Sequence, residues 1–289
     1  MANLKDIKSR IGSVKKTKQI TQAMKLVAAA KLKGASDRAT AAQPYQAALR
    51  DVLSRVAAKA GGASNSPLLR TSAEVKRVLL VVLTSDRGLC GGFNNNMLRR
   101  LVPWIEARQQ AGVEVVIEVF GRKGRDYLRN RGFTASRVEL EWAKQPKMSV
   151  VKPLTDRMVA AFTSGDYDEV YVGYNAFKSA ANQVPTTSQV LPLAVDPADA
   201  DGDNLVDYIY EPQPQQILNT LLPLYLGTLV LQSFLETEAG EHAARMLAMD
   251  AATRNASDLI GRLTLEYNRA RQAAITKEII EIVSGAEAL

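Results

Sequence analysis

The chain has 289 residues, a net charge of +7, one cysteine (Cys90) and one histidine (His242). One cysteine excludes an internal disulfide and a cysteine-rich zinc site, and one histidine argues against a histidine-based metal centre. Apolar residues make up 46% of the sequence, which suffices for a buried core, while aromatic residues make up only 6%. The composition favours a globular protein of a reducing compartment, packed through aliphatic side chains, with no metal and no cofactor.

The positive charge is concentrated near the N-terminus. Between Asn3 and Arg38 there are ten lysines and arginines but only two aspartates. From Gln213 onwards nine acidic residues outnumber six basic ones. A basic segment of this kind can meet nucleic acid, anionic lipid or an acidic protein surface, so charge alone leaves the partner open.

The first 60 residues predict one long helix. Apolar residues are spaced three and four apart, and they resume after a slip: Leu4, Ile7, Ile11, Val14, then Ile20, Met24, Val27. An alanine-rich stretch follows, which favours helix, and the pattern continues beyond Pro44. No secretory signal is expected, because "MANLKDIKSRIG" has charges but no apolar core. Residues 61–75, which contain "GGASNSP", are expected to form a linker.

Residues 76–212 alternate between short apolar runs and helical patterns. The runs at 78–83, 113–120 and 170–174 predict buried strands, and helices are expected between them at 97–110, 122–131 and 154–162. This repetition predicts a Rossmann-like α/β domain with a parallel sheet. Residues 190–195 and 206–210 are expected to be late edge strands near prolines.

The segment 213–289 predicts a second, longer helix. Its most apolar stretch, "ILNTLLPLYLGTLVLQSFL", is interrupted by polar residues and Pro223, so we interpret it as a buried amphipathic helix and not as a membrane span. A heptad pattern with a polar middle, through His242, runs on towards the C-terminus. About 70 helical residues would measure roughly 105 Å, so much of the helix must project from any domain.

The two terminal helices are expected to pair as an antiparallel coiled coil, because one leaves the central domain and the other enters it. Their opposite charges favour that pairing. The N-terminal helix is shorter, so roughly the last 15 residues have no helical partner within the chain. Their isoleucines would then need another protein as a partner.

The stretch "VLLVVLTSDRGLCGGFNNNMLRRL" has the outline of a phosphate-binding strand, loop and helix. Its glycines, Gly88, Gly91 and Gly92, do not fit the spacing G-x-G-x-x-G of a dinucleotide loop. The lysine and hydroxyl residue of a P-loop are also missing after Gly92. We therefore expect a structural turn and not a nucleotide site.

Several motifs, in the same order, resemble the γ subunit of F-type ATP synthase over essentially the whole chain. They include "LKDIKSRIGSVKKTKQITQAMKLVAAAKL", "TSDRGLCGGFN", "QVPTTSQ", "EHAARMLAMDAATRNASDLI" and "YNRARQAAITKEIIEIVSGA". The resemblance implies a rotor shaft inside a ring of α and β subunits, turned by a proton-driven ring of c subunits. It implies no active site of its own, because in this family ATP binds to α and β. The expected partners are one set of α, β, ε (delta-type in mitochondria) and c-ring subunits, with one copy of this chain per complex.

The resemblance also implies contact residues. Met24, Arg271, Gln272 and Thr276 lie where the shaft of the family meets acidic loops of β, and Arg245 resembles a shaft position. Tyr208, Tyr210 and Glu211 resemble the foot that contacts the c ring and ε. The turn around Gly88, Cys90, Gly91 and Gly92 would cap the first strand beside the coiled coil, where glycines let the backbone pack close to a helix.

Chloroplast members of the family carry an inserted segment with a regulatory cysteine pair. This chain has one cysteine and no such insertion, so thiol switching is not expected. With no transit peptide visible, the resemblance predicts a bacterial member, peripheral on the cytoplasmic side of the inner membrane.

Two other functions remain open from the residues alone. The basic N-terminal helix and "GRKGRDYLRNRG" could contact nucleic acid, although no aromatic residue between Met1 and Pro44 offers a stacking platform. A nucleotide-binding enzyme with a coiled-coil arm is the other alternative. Saturable binding of DNA or of a nucleotide would distinguish these from a stalk protein.

Overall fold

A computed structural model describes residues 4–59, 66–142, 146–194, 211 and 213–287. The chain forms two compact units, residues 1–29 with 245–289 and residues 30–244. Two long helices, α1 (Leu4–Lys59) and α5 (Pro214–Glu287), contribute to both units. The predicted architecture, a central α/β domain between long terminal helices that pair antiparallel, is confirmed.

The smaller unit is an antiparallel pair of helical segments. Thr21 Oγ1 lies 2.8 Å from Thr253 Oγ1, and Lys25 Nζ lies 2.6 Å from Asp250 Oδ1. Residue numbers therefore increase along α1 while those of the contacted residues on α5 decrease, so the two segments are antiparallel. Buried residues recur at sevenfold spacing on each segment, as a coiled-coil seam requires: Ile7, Thr21 and Ala28 on α1, and Met249, Ala256 and Leu263 on α5.

The predicted slip in the pattern of α1 is wrong. Ile20 and Val27 are 60% and 57% exposed, and the neighbouring Thr21 and Ala28 are buried instead. The seven-residue period continues without interruption, because a half-buried lysine at Lys25 takes a seam position. Its ammonium group reaches Asp250, and the aliphatic stem of a lysine is long enough to lie along a seam while its charged end stays in water.

The larger unit is built on a five-stranded sheet of order β3-β2-β1-β4-β5. β1, β2, β3 and β4 are parallel, and β5 joins β4 as an antiparallel edge. The strands are β1 (Arg77–Leu83), β2 (Glu114–Phe120), β3 (Arg137–Glu139), β4 (Glu169–Ser179) and β5 (Asn182–Leu191). The helices between them are α2 (Phe93–Gln110), α3 (Arg122–Arg129) and α4 (Met148–Ser164).

The sheet has a separate hydrophobic core on each face. One face packs against α4 and the parts of α1 and α5 in this unit, and the other packs against α2 and α3. On the first face, Phe234 of α5 is fully buried, and its ring lies 5.0 Å from those of Phe120 and Trp142 in edge-to-face contacts. These aromatic contacts anchor α5 on the sheet.

The apolar start of α5 is a core helix. By length and composition alone this helix could cross a membrane. Most of its apolar side chains are instead packed against the sheet and α4, and Leu218, Leu222, Leu226 and Val230 are fully buried, while Leu224 is 40% exposed. The predicted burial is confirmed. From Tyr225 to Ala243 no residue of the helix is exposed, so this part is buried on all sides instead of on one face.

Two predicted edge strands need correction. The strand expected at 190–195 begins earlier, as β5, and ends at Leu191, while residues 206–210 lie outside the described part of the chain. The first part of β5, residues 182–189, was missed because its sequence is mostly polar and half-buried, as suits an edge. The short strand β3 lies at the other edge of the sheet and also lacks an apolar run.

The described part of the expected linker, residues 66–75, packs on the sheet unit. Leu68 is buried, and its carbonyl accepts the amide of Leu193. Asp168 holds the end of this segment, because its carboxylate accepts the amides of Lys76 and Arg77 and the hydroxyl of Ser72. Burial raises the pKa of Asp168, but these hydrogen bonds outweigh it, so the pKa lies below the ordinary value of 3.8.

Replacing Asp168 with alanine should destabilise the chain by about 1.5–3 kcal/mol at neutral pH, the range for hydrogen bonds to a charged group. A carboxyl group whose pKa is lowered on folding stabilises above its unfolded pKa, and that contribution disappears as the pH falls through the folded value. The difference from the parent chain in urea unfolding should therefore shrink below about pH 4. Asp166→Ala, at an exposed neighbour, is the control and should change little at any pH.

Candidate partner-contact surfaces

The turn between β1 and α2 uses its own polar groups to hold its shape. Ser85 donates its amide to Asn94 Oδ1 at 3.0 Å, and Asn94 Nδ2 donates to Ser85 Oγ at 2.7 Å. The amide of Phe93 bonds the carbonyl of Cys90, and that of Asn96 bonds the carbonyl of Gly92. A phosphate-binding turn instead points such amides at its ligand, so this geometry favours the structural interpretation.

The three glycines of this turn differ in how strongly their positions require glycine. Gly91 has a left-handed backbone with φ +56°, which favours glycine. A Cβ on Gly88 would meet only the flexible end of Lys123, and a Cβ on Gly92 would meet only the side chain of Asn96. The close approach to a helix comes instead from Gly240 of α5, where a Cβ would lie 3.0 Å from the ring of Phe93.

Cys90 is a packed residue in this turn. It is 2% exposed, and Asn94 Nδ2 lies 3.3 Å from its sulfur. The described residues hold no group of three or more histidine, cysteine or acidic side chains placed to bind a metal ion.

A neighbouring contact around Thr84 was not predicted from the sequence. Gly121 has φ +104°, and a Cβ there would collide with the carbonyl oxygen of Thr84. Thr84 Oγ1 also accepts the amide of Gly124 at 2.9 Å, and its carbonyl accepts Trp142 Nε1 at 3.0 Å. Asp86 joins the same region by accepting the amides of Arg122 and Glu141. The sequence signal was the pair of glycines in "GRKG", which directly follows β2.

The crevice where open α/β sheets bind ligands is filled by the protein itself. Such sheets bind at the carboxyl ends of the strands where the strand order reverses, here between β1 and β4. Phe93 and Asn94 are buried beyond β1, and Asn175 of β4 donates its amide to the carbonyl of Phe93 at 3.2 Å. Gly240 of α5 packs on the same phenylalanine.

The four residues expected to contact the β subunit lie in the smaller unit, at two different positions along the helix pair. Met24 is half-buried beside Lys25, which pairs with Asp250. Arg271, Gln272 and Thr276 are all exposed on α5. Arg271 follows Asp250 by 21 residues, or about 30 Å along the helix. The structure therefore does not bring Met24 together with the other three.

The end of α5 presents a continuous set of exposed apolar side chains. Ile275, Ile279, Ile280, Ile282 and Val283 are all at least 47% exposed, and Ile282 reaches 71%. The last buried residue of the α5 seam in the described part of the chain, Leu263, lies before them. Exposed clusters of large apolar residues mark sites for other proteins. Ile20, Leu26 and Val27 form a second exposed apolar group, on α1.

The remaining predicted positions are only partly described. Tyr208 and Tyr210 lie outside the described residues, and Glu211 is exposed. His242 and Arg245 are half-buried on α5, consistent with positions on a helical seam. Leu89, which the sequence did not single out, is 62% exposed at the tip of the turn with φ +63°.

A long helical pair with exposed apolar residues, in a chain that also has an α/β domain, favours the class of stalk proteins. The family model described as "ATP synthase" matches residues 3–289. The ATP synthase gamma chains of Pelotomaculum thermopropionicum and Paracoccus denitrificans are both 45% identical over 100% of both chains. That of a Geobacter species (strain M21) is 47% identical over 100% of this chain and 99% of its own.

Solved structures agree with this family. A chain from the central stalk and c ring of the Tetrahymena thermophila mitochondrial ATP synthase is 25% identical, with a TM-score of 0.59, and covers 81% of this chain and 99% of its own. A chain from the Euglena gracilis mitochondrial ATP synthase shares the fold, with a TM-score of 0.67, 20% identity and coverage of 99% and 94%. The chain belongs to the ATP synthase gamma chain family, and its role is that of a central-stalk rotor subunit.

The pure chain should bind no nucleotide tightly, because the amides of Ser85, Phe93 and Asn96 are hydrogen-bonded within the chain and the buried Phe93 and Asn94 occupy the crevice. Isothermal titration with ATP and ADP, with and without magnesium, should give no saturable heat at micromolar concentrations. A micromolar site that is lost in Asn94→Ala would contradict the structural interpretation of the turn.

Proposed function

We propose that this chain couples proton-driven rotation of a c ring to conformational changes at catalytic β subunits, and that it has no active site of its own. The observation that carries the proposal is the exposed apolar end of α5 in a chain of this family. An exposed helix end rich in isoleucine is stabilised only when another protein covers it. In the proposed assembly that cover is the ring of α and β subunits.

The proposal assigns a part to each segment. Residues 1–60 and 213–289 act as the coiled-coil helices, 61–75 as the connection and 76–212 as the domain beside the c ring and ε. One copy serves each complex, on the cytoplasmic side of a bacterial inner membrane, and it meets the membrane only through the c ring. This coupling is rigid-body allostery, in which an asymmetric shaft favours different conformations of each β subunit in turn.

Arg271 is the proposed ionic contact with β. Its side chain is exposed, so its guanidinium is available to a carboxylate of a partner, which it can bind through two parallel hydrogen bonds. Met24 is proposed as a second, apolar contact about 30 Å away along the helix pair. Gln272 and Thr276 flank Arg271 on α5 and are proposed to share its contact.

Replacing Arg271 with alanine should weaken coupling in the assembled complex and leave the unfolding of the isolated chain unchanged. A hydrogen bond to a charged group contributes about 1.5–3 kcal/mol, so the ATP made per proton should fall several-fold. Synthesis in membrane vesicles at a fixed proton gradient measures this. Arg269→Ala is the control, because a residue two positions earlier lies on the opposite side of the helix. Normal synthesis by the Arg271 variant, or an equal loss in the control, would contradict the assignment.

Replacing Ile279 and Ile282 with serine should leave the melting of the isolated chain nearly unchanged, because both side chains are already exposed. The same changes should reduce recovery of the complex with α and β, since each isoleucine buried there contributes about 1.5–3 kcal/mol. Leu263→Ser is the control. That leucine is 5% exposed in the seam, so its replacement should destabilise the isolated chain. Destabilisation by the double change, with normal assembly, would show that the end of α5 has no outside partner.

A further inference from the structure

The end of strand β4 has an edge that no strand covers. Its pairing with β1 ends at Gly173, whereas its pairing with β5 continues to Ser179. The residues from Tyr174 onwards therefore have a strand on one side only, within the part of the chain that the structure describes. Backbone N–H groups on such an edge need another acceptor when they are partly buried.

Glu236 of α5 supplies that acceptor. Its Oε2 accepts the backbone N–H of Phe177 at 3.0 Å, and its Oε1 accepts Nε2 of Gln232 at 2.9 Å. Both carboxylate oxygens are thus used, one for the strand and one for the helix. A hydrogen bond to a charged acceptor is stronger than one between neutral groups.

Gln232 extends this contact to α1. Its Nε2 also lies 3.4 Å from the carbonyl oxygen of Ala39, and its side chain is buried, with 7% exposed. Two oxygens therefore face the amide nitrogen, which fixes the orientation of the amide group. Tyr174 adds a contact from the sheet, because its hydroxyl bonds the side chains of Ser188 and Ser233. Burial, and then the nearby charge of Glu236, raise the pKa of Tyr174.

We propose that Glu236 is a positioning residue for coupling, whose carboxylate fastens the end of β4 to α5 and, through Gln232, to α1. The sheet domain and the parts of both helices in the larger unit then turn as one body under load. This inference rests on the proposed function. It concerns contacts inside the chain, whereas the expected functional residues contact partners.

Amide hydrogen exchange in the full chain tests the contact itself. Glu236→Ala should speed exchange at Phe177 by about tenfold, the factor expected when a hydrogen bond to a charged group is lost. Exchange in β1 and β2 should stay unchanged. Glu236→Gln should keep protection at Phe177, because its amide oxygen still accepts that N–H. Unchanged exchange at Phe177, or an equal increase throughout the sheet, would overturn the proposal.

ATP-driven proton pumping in vesicles tests the coupling role. Complexes with Glu236→Ala should hydrolyse ATP at nearly the normal rate but pump several-fold fewer protons per ATP, and Gln232→Ala should show a smaller loss in the same direction. Glu106→Ala, at an exposed position on α2, is the matched control and should pump normally. Normal pumping by the Glu236 variant, despite faster exchange at Phe177, would overturn the inference. A parent chain that fails to assemble into a pumping complex would overturn the proposed function and leave the exchange result standing.

Discussion

The structure depends on one helix that meets two different environments. Between Tyr225 and Ala243, α5 is surrounded by sheet, α4 and α1, and no residue there is exposed. Beyond residue 245 the same helix buries only a narrow seam, of which Met249 and Leu263 are members. The helix itself is continuous across this change.

The packing of α5 on the sheet also affects the position where an α/β domain of this strand order would bind a ligand. A parallel sheet of this order has a natural ligand crevice beyond β1 and β4. Here Phe93, Asn175 and Gly240 fill that crevice and join sheet, turn and helix. The glycine-rich turn resembles a nucleotide loop in outline, but the amides of Ser85, Phe93 and Asn96 around it are hydrogen-bonded within the chain. The domain thus has the strand order of a ligand-binding α/β fold, with side chains of the protein itself in the crevice.

Elements whose apolar residues are regularly spaced or continuous could be predicted from the sequence, and elements without such a pattern could not. The long helices, three strands and the antiparallel pairing followed from heptads and apolar runs. Most of the edge strand β5 did not, because a half-buried strand of threonine, serine and glutamine carries no such run, and only Val190 and Leu191 fall within the strand expected at 190–195. The register of α1 failed because Ile20 and Val27 are apolar but exposed. An exposed apolar residue on a helix surface misleads a pattern that assumes every apolar side chain is buried within its own chain.

That error has a functional meaning. In a protein that works inside an assembly, part of the apolar surface is covered by partners. Apolar residues are then of two kinds, those buried within the chain itself and those exposed until a partner covers them. Register separates the two kinds: Thr21 and Ala28 continue the seven-residue series from Ile7 and are buried, while Ile20 and Val27, which are also seven apart, lie one position earlier and are exposed. The same separation holds on α5, where Leu263 is in the seam and Ile279 is not. Residues such as Arg271 have no such signal, because an exposed arginine fits any helix surface, and only the family resemblance singled it out.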